Sequence, residues 1–150
     1  MAKKWAAKEA FTIIELLVSI VVIGILATIM IVSYTGVQQR ARDSQRDSDI
    51  TQLKIAIEKY RADQSKYPGV CAGDNSGCTA TSLATELGPY LKQIPHDPRY
   101  VADSSNDYKY VRSATQYDAY ALLVHYEAKD TCKTGQNVST GWWGIAVPTC

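Results

Sequence analysis

Residues Phe11 to Tyr34 read FTIIELLVSIVVIGILATIMIVSY, and no charged residue interrupts the chain between Leu16 and Gln39. No other feature of the 150 residues constrains the fold as strongly. Coiled as a helix, Phe11 to Val32 would extend roughly 33 Å, enough to cross a hydrocarbon layer of about 30 Å. A chain this short does not enclose a helix that is apolar on every side within a soluble core. A removable secretory signal also fits poorly, because its apolar region spans about 7–15 residues and closes on a small-x-small site. The run therefore reads as a membrane-spanning helix. One carboxylate, Glu15, lies just inside its start, and charge placed in a membrane is expensive enough to be functional by default.

The ten residues before the run, MAKKWAAKEA, carry Lys3, Lys4 and Lys8 against Glu9. Three lysines ahead of the helix place the N-terminus in the cytoplasm. Arg40, Arg42 and Arg46 on the far side oppose that assignment, and the cysteines restore it. Cys71, Cys78, Cys132 and Cys150 all follow the helix, and an even set confined to the downstream part is what an oxidising, extracytoplasmic side favours.

A basic leader, a small residue at Ala10, then Phe11-Thr12-Ile13-Ile14-Glu15-Leu16-Leu17 and Ile23-Gly24-Ile25-Leu26-Ala27 together resemble the N-terminal signature of type IV pilins and type II secretion pseudopilins. The match is dense over roughly the first 35 residues. The resemblance implies cleavage by a prepilin peptidase between Ala10 and Phe11, N-methylation of Phe11, and retention of the helix. It divides the chain into a leader (1–10), a membrane or filament-core helix (11–34) and an extracytoplasmic domain (35–150) whose helix continues to about residue 65. Loss of the leader would leave 13 basic against 14 acidic residues. Two positions depart from the family: Ala10 stands where glycine is usual, and Val32 where many members carry proline. Without that proline, Gly24 is the remaining weak point of the helix, since glycine costs about 1 kcal/mol relative to alanine in a helix interior. Less melting of the helix in a filament is expected.

Glu15 has a chemistry that can be argued from charge alone. After cleavage Phe11 would carry an ammonium, and Glu15 follows four residues on, roughly 6 Å along the axis. Both groups stay hydrated at a membrane surface. In a filament core they would lose water, where an unpaired charge is worth several kcal/mol against the structure. One cation and one anion per subunit at a fixed offset neutralise their neighbours only in one axial register, so Glu15 is a register device. The assembly residues are thus Phe11, Glu15 and Gly24.

Beyond Tyr34 the helical pattern continues to Asp63. Gln38 to Asp49, QQRARDSQRDSD, mixes charge signs and is expected to be a solvated or subunit-contacting face, not a nucleic-acid patch. Ile50, Leu53, Ile57 and Tyr60 then form a one-sided apolar stripe. Lys66 to Ser82 is rich in turn residues, Ser82 to Leu91 reads as a short helix ending near Gly88-Pro89, and Pro95 to Pro98 as a turn. Strands are expected at Tyr108–Ser113, Tyr117–Glu127 and Trp142–Val147. A long helix on a small antiparallel sheet of three or four strands is an α+β, pilin-type fold. From Leu53 to Pro98 the chain also resembles, more loosely, the major pseudopilin subfamily.

Four cysteines allow three connectivities, of which local pairing gives Cys71–Cys78 and Cys132–Cys150. The Cys132–Cys150 span resembles the C-terminal disulfide loop of many type IV pilins. Asp103, Asn106 and Asp107 form an oxygen-rich loop and are the calcium candidates, because secretion pseudopilins often bind that ion in this domain; a solvated turn is the competing reading. His96 and His125 have no metal or triad spacing, and no paired cysteines suit zinc. Asn137-Val138-Ser139 is a sequon by pattern only. Trp142-Trp143 is either core or an exposed adhesive patch. No nucleophile–base pair, phosphate loop or cofactor motif is evident, so an enzyme is not expected.

The leading expectation is a structural subunit of a type IV pilus-like homo-oligomeric filament. It would be inserted in the inner membrane, processed by the peptidase and methyltransferase, and added by an assembly ATPase and platform. The alternative is a type II secretion or competence pseudopilin in a short envelope filament. A monomeric membrane-anchored binding domain is the reading from a different class. No nucleic-acid partner is indicated.

Overall fold

The computed structural model describes residues 11–150 except 74, 102, 103 and 145, with the backbone alone at 31–33. Helix α1 runs Ile13–Gln64. The first proline after Phe11 is Pro68, and the helix continues through both Gly24 and Gly36. Its C-terminal end is closed by Ser65, whose φ of 57° is left-handed and whose N–H donates to the Arg61 carbonyl oxygen at 2.8 Å. This is the one-bond helix stop usually made by glycine.

The chain divides structurally between Gln38 and Gln39. In the first unit the described apolar side chains, among them Ile13, Leu17, Val21, Ile25 and Met30, are all exposed. The helix is long and apolar enough to cross a membrane.

In the second unit four antiparallel strands follow the helix in the order β1 (Cys78–Thr79), β2 (Lys109–Arg112), β3 (Tyr120–Val124) and β4 (Cys132–Gln136), each paired with the next. Ala80–Leu83 (3-10) and α2 (Ala84–Leu87) lie between β1 and β2, as does a second 3-10 turn, Ser104–Asn106. Ile50, Leu53, Ala56 and Ile57 of α1 share one core with Tyr108, Tyr110, Tyr120, Leu122 and Val124 of the sheet. Alternate positions, Val111, Ala119 and Ala121, cluster with Trp142 on the opposite face. Covered on both faces, β3 reads as a continuous buried run, YALLV, and not as an alternation. This is the α+β arrangement expected, a long helix on a small antiparallel sheet.

Four tyrosines, Tyr67, Tyr108, Tyr110 and Tyr120, are almost fully buried. Burial demands partners for their hydroxyls. Tyr108 donates to Asp49 and Tyr110 to the Pro68 carbonyl oxygen, each at 2.9 Å. Tyr67 donates to Glu58 at 3.0 Å and receives a bond from Arg61 at 2.9 Å, and its ring lies 4.4 Å from that of Tyr120. Burial, reinforced by Glu58, pushes the Tyr67 phenol up to about 12, and burial raises the other three as well.

Two expectations are corrected. Trp142–Val147 is not a strand: Trp143 and Gly144 have left-handed φ of 54° and 87°, and the described residues there form turns. The strand lies earlier, at Cys132–Gln136, where polar residues conceal it. Gly135 is essential there, because an added Cβ would sit 2.2 Å from the Tyr120 carbonyl oxygen. Gln38–Asp49 is likewise not a solvated face throughout, since Asp43, Arg46 and Asp49 are buried.

Candidate functional site

At the N-terminal end of α1, Thr12 and Glu15 bond reciprocally. Glu15 Oε2 accepts from the Thr12 N–H at 2.9 Å and from its hydroxyl at 2.7 Å, while Thr12 Oγ1 accepts from the Glu15 N–H at 3.3 Å. This is a capping box, which satisfies helix-end donors that have no partner within the helix. The carboxylate also faces the positive end of the helix dipole. In a single chain Glu15 is therefore supplied with donors by its own helix end. Sequence reasoning assigned Thr12 no role, although Thr-x-x-Glu ahead of an apolar run carries that signal. Phe11 is exposed, and an added Cβ at Gly24 would meet nothing within 4 Å. Ala10, the other residue of the expected cleavage site, lies outside the described residues.

A second constellation surrounds Arg46, which is 1% exposed. Its guanidinium donates to Asp97 and Asp43 at 2.6 Å and to Glu127 at 2.9 Å. Arg42 adds a two-pronged bond to Glu127 at 2.7 and 2.6 Å. Asp43 also accepts the N–H groups of Glu127 and Ala128 at 3.0 and 2.9 Å. One helix face thereby fixes two loops. Hydrogen bonds from Arg42 draw the Glu127 carboxyl down to about 2; burial opposes this and Arg46 adds to it. Burial pushes the Asp43 carboxyl up, but the two N–H groups and Arg46 outweigh it and leave it lowered. Asp49 is raised, chiefly by burial.

The calcium candidates do not converge among the described residues. Asp107 Oδ1 accepts the N–H groups of Asp97 and Tyr108 at 3.1 and 3.0 Å, and its Oδ2 lies 3.0 Å from His96 Nδ1. The carboxylate is committed to holding the loop. Asn106 ends the Ser104–Asn106 turn, and Asp103 lies outside the described residues. No group of three metal-ligating side chains occurs among the described residues.

At the far end of the sheet Cys71 is bonded to Cys78 and Cys132 to Cys150. Trp143 joins the two closed loops: its N–H donates to the Asn75 carbonyl oxygen at 3.2 Å and its indole N–H to that of Ser76 at 2.8 Å. Trp142 is core and Trp143 half-buried, so the pair is mainly structural. Lys133, 3% exposed, directs its ammonium at the carbonyl oxygens of Thr140, Trp142 and Gly144 at 3.1, 3.0 and 3.4 Å. Its N–H and carbonyl also bond Pro148 and Cys150, each at 2.9 Å. Sequence reasoning gave Lys133 no role. His125 lies against Thr131, and Asn137 donates to Asp118.

Residues 33–140 match the family model for type II secretion system (T2SS), protein G, and residues 5–31 match the prokaryotic N-terminal methylation motif. The chain is 31% identical over 125 residues to the type II secretion system core protein G of Escherichia coli K12, covering 77% of this chain and 79% of that one. The Vibrio cholerae O1 protein of the same name is 30% identical over 113 residues, covering 73% and 74%. That of Aeromonas hydrophila is 31% identical over 96 residues, covering 61% and 67%. No solved structure gives a significant match. With a helix bearing the methylation motif and a domain matching over most of its length, this chain belongs to the type II secretion system protein G family.

Proposed function

We propose that the chain is a structural, non-catalytic pseudopilin subunit that polymerises through its N-terminal helix into a short envelope filament serving type II secretion. The family match over 33–140 carries this reading and favours it over the type IV pilus expectation. The precursor sits in the inner membrane with residues 1–10 in the cytoplasm, is cut between Ala10 and Phe11 by prepilin peptidase and is N-methylated on Phe11. On assembly Glu15 exchanges Thr12 for the Phe11 ammonium of a neighbouring subunit, which sets the axial register. An ATPase and platform drive the addition.

Immunogold labelling of intact and permeabilised cells tests the filament type. Label confined to the envelope supports a pseudopilus, and long labelled surface fibres would restore the pilus reading. Glu15→Ala is expected to yield an inserted, processed subunit that assembles poorly; normal filament yield would remove Glu15 from the mechanism. An unchanged mass in cells lacking the peptidase would count against processing.

A further inference from the structure

The two disulfide-closed loops and the β2–β3 turn border an open depression of about 280 Å³, within reach of the small end of ligand sites. Its walls come from three segments: Gly73 and Asn75, Ser113 to Gln116, and Asn137 to Trp142. Each wall is held in place. Cys71–Cys78 and Cys132–Cys150 close the outer two, and Trp143 ties those two together. Ser113 fixes the third, its N–H donating to the Ala119 carbonyl oxygen at 3.1 Å and its hydroxyl accepting from the Gln116 N–H at 3.0 Å. Three of the four non-glycine residues with left-handed φ among the described residues, Cys71, Asn137 and Trp143, belong to the loops that form these walls. Strain of this kind persists where the surroundings over-determine it, and it collects at binding sites.

The lining has a consistent chemistry. Hydroxyls and carboxamides dominate, with Trp142 as the large aromatic. Asn137 spends its amide N–H groups on Asp118, leaving its carbonyl oxygen as an acceptor. Arg112 is the one charged side chain among the described lining residues; it is only 7% exposed, and its buried Nε has no hydrogen-bond partner. Its guanidinium donates to the Tyr67 carbonyl oxygen at 3.4 Å and lies 5.1 Å from the Tyr117 ring centre. A rigid depression offering neutral donors and acceptors beside an indole suits a ligand dense in hydroxyl or acetamido groups and without charge.

We infer that this depression binds a neutral saccharide unit. The inference stands apart from filament assembly, since it uses no residue of α1. Titrating the full-length chain, in a zwitterionic detergent that carries no sugar, with the N-acetylglucosamine trimer and with maltotriose tests it by NMR. Saturable shifts of the Ser113–Gln116 amides and the Trp142 indole are expected with at least one sugar. Gln116→Ala is expected to weaken binding at least tenfold without changing the melting temperature. Asn137→Gly, which keeps the left-handed backbone but gives up the Asp118 bonds, is expected to weaken binding at least tenfold with a small fall in melting temperature. Co-sedimentation with purified cell-wall sacculi, lost in the same variants, would assign the saccharide to the wall; retention by soluble oligomers alone would assign it to free sugar. No shifts up to millimolar sugar, equal affinity in both variants, or shifts with trialanine or citrate in place of sugar would overturn the inference.

Discussion

The guanidinium of Arg46 contacts the carboxylate of Asp97 through two hydrogen bonds, at 2.6 and 3.1 Å, with both side chains almost wholly out of water. The two residues lie 51 positions apart, so the pair ties α1 to the loop that leads into β2. Asp43 and Glu127 complete the shell around the cation. Substituting Arg46 with Met leaves Asp43 and Asp97 without a cationic partner, while Glu127 keeps Arg42, and is expected to destabilise the second unit by about 3–5 kcal/mol. Urea denaturation followed by near-ultraviolet circular dichroism measures this. A loss below about 1 kcal/mol, typical of exposed pairs, would reduce the hub to a surface feature.

The same hub sets the acid limit of the fold. Glu127 falls from an ordinary 4.5 to about 2 in the folded chain, and Asp43 is lowered too. Their stabilisation is complete above the unfolded values. It declines as pH falls through the folded ones, because the unfolded chain takes up its protons first. Urea midpoints are therefore expected to drop between about pH 4.5 and 2, and Glu127→Gln to flatten that slope.

Asp49 has the opposite sign. Burial raises its carboxyl, so what it contributes is present at low pH and is lost as pH rises through the folded value. Asn in its place removes a buried charge yet still offers an oxygen to the Tyr108 hydroxyl. Asp49→Asn is expected to leave stability at pH 7 unchanged or raised, whereas Asp49→Ala should lose about 1–3 kcal/mol by orphaning that hydroxyl. Thermal melts of the two variants side by side distinguish them.

Lys133 answers to a different measurement. Replacing it with Met frees three inward carbonyl oxygens, and the expected consequence is local: faster hydrogen exchange across 139–144 by about tenfold or more, for about 1–3 kcal/mol lost. Exchange in β2 and β3 should change little. Uniform acceleration throughout the sheet would mean that the ammonium supports the global fold instead.

Much of this architecture was legible because it is periodic. Ile50, Leu53 and Ile57 announce a buried helix face, and the sheet meets them. The same spacing extends backwards through Arg46 to Asp43, three and four residues at a time, yet those positions read as solvated because charge hides the period. β4 was missed for a related reason: Lys133, Thr134 and Gly135 resemble a loop, and only the closeness of the Tyr120 backbone explains the glycine. Trp142–Val147 misled in the other direction. Its aromatic and β-branched residues favour a strand, but Lys133 collects its carbonyls into a turn. At the N-terminal end the acid is legible and its Thr12 partner is not, because a hydroxyl at the edge of an apolar run carries no charge to mark it.

The buried phenols give the domain an alkaline limit as well. Burial pushes the Tyr67 phenol up to about 12 and raises those of Tyr108, Tyr110 and Tyr120 as well, while the unfolded chain would ionise all four near the ordinary value of about 10. Base therefore pulls on the unfolded state, and each phenol it captures absorbs at longer wavelength once it has lost its proton. The core of this domain thus reports its own opening in the ultraviolet, with no label attached.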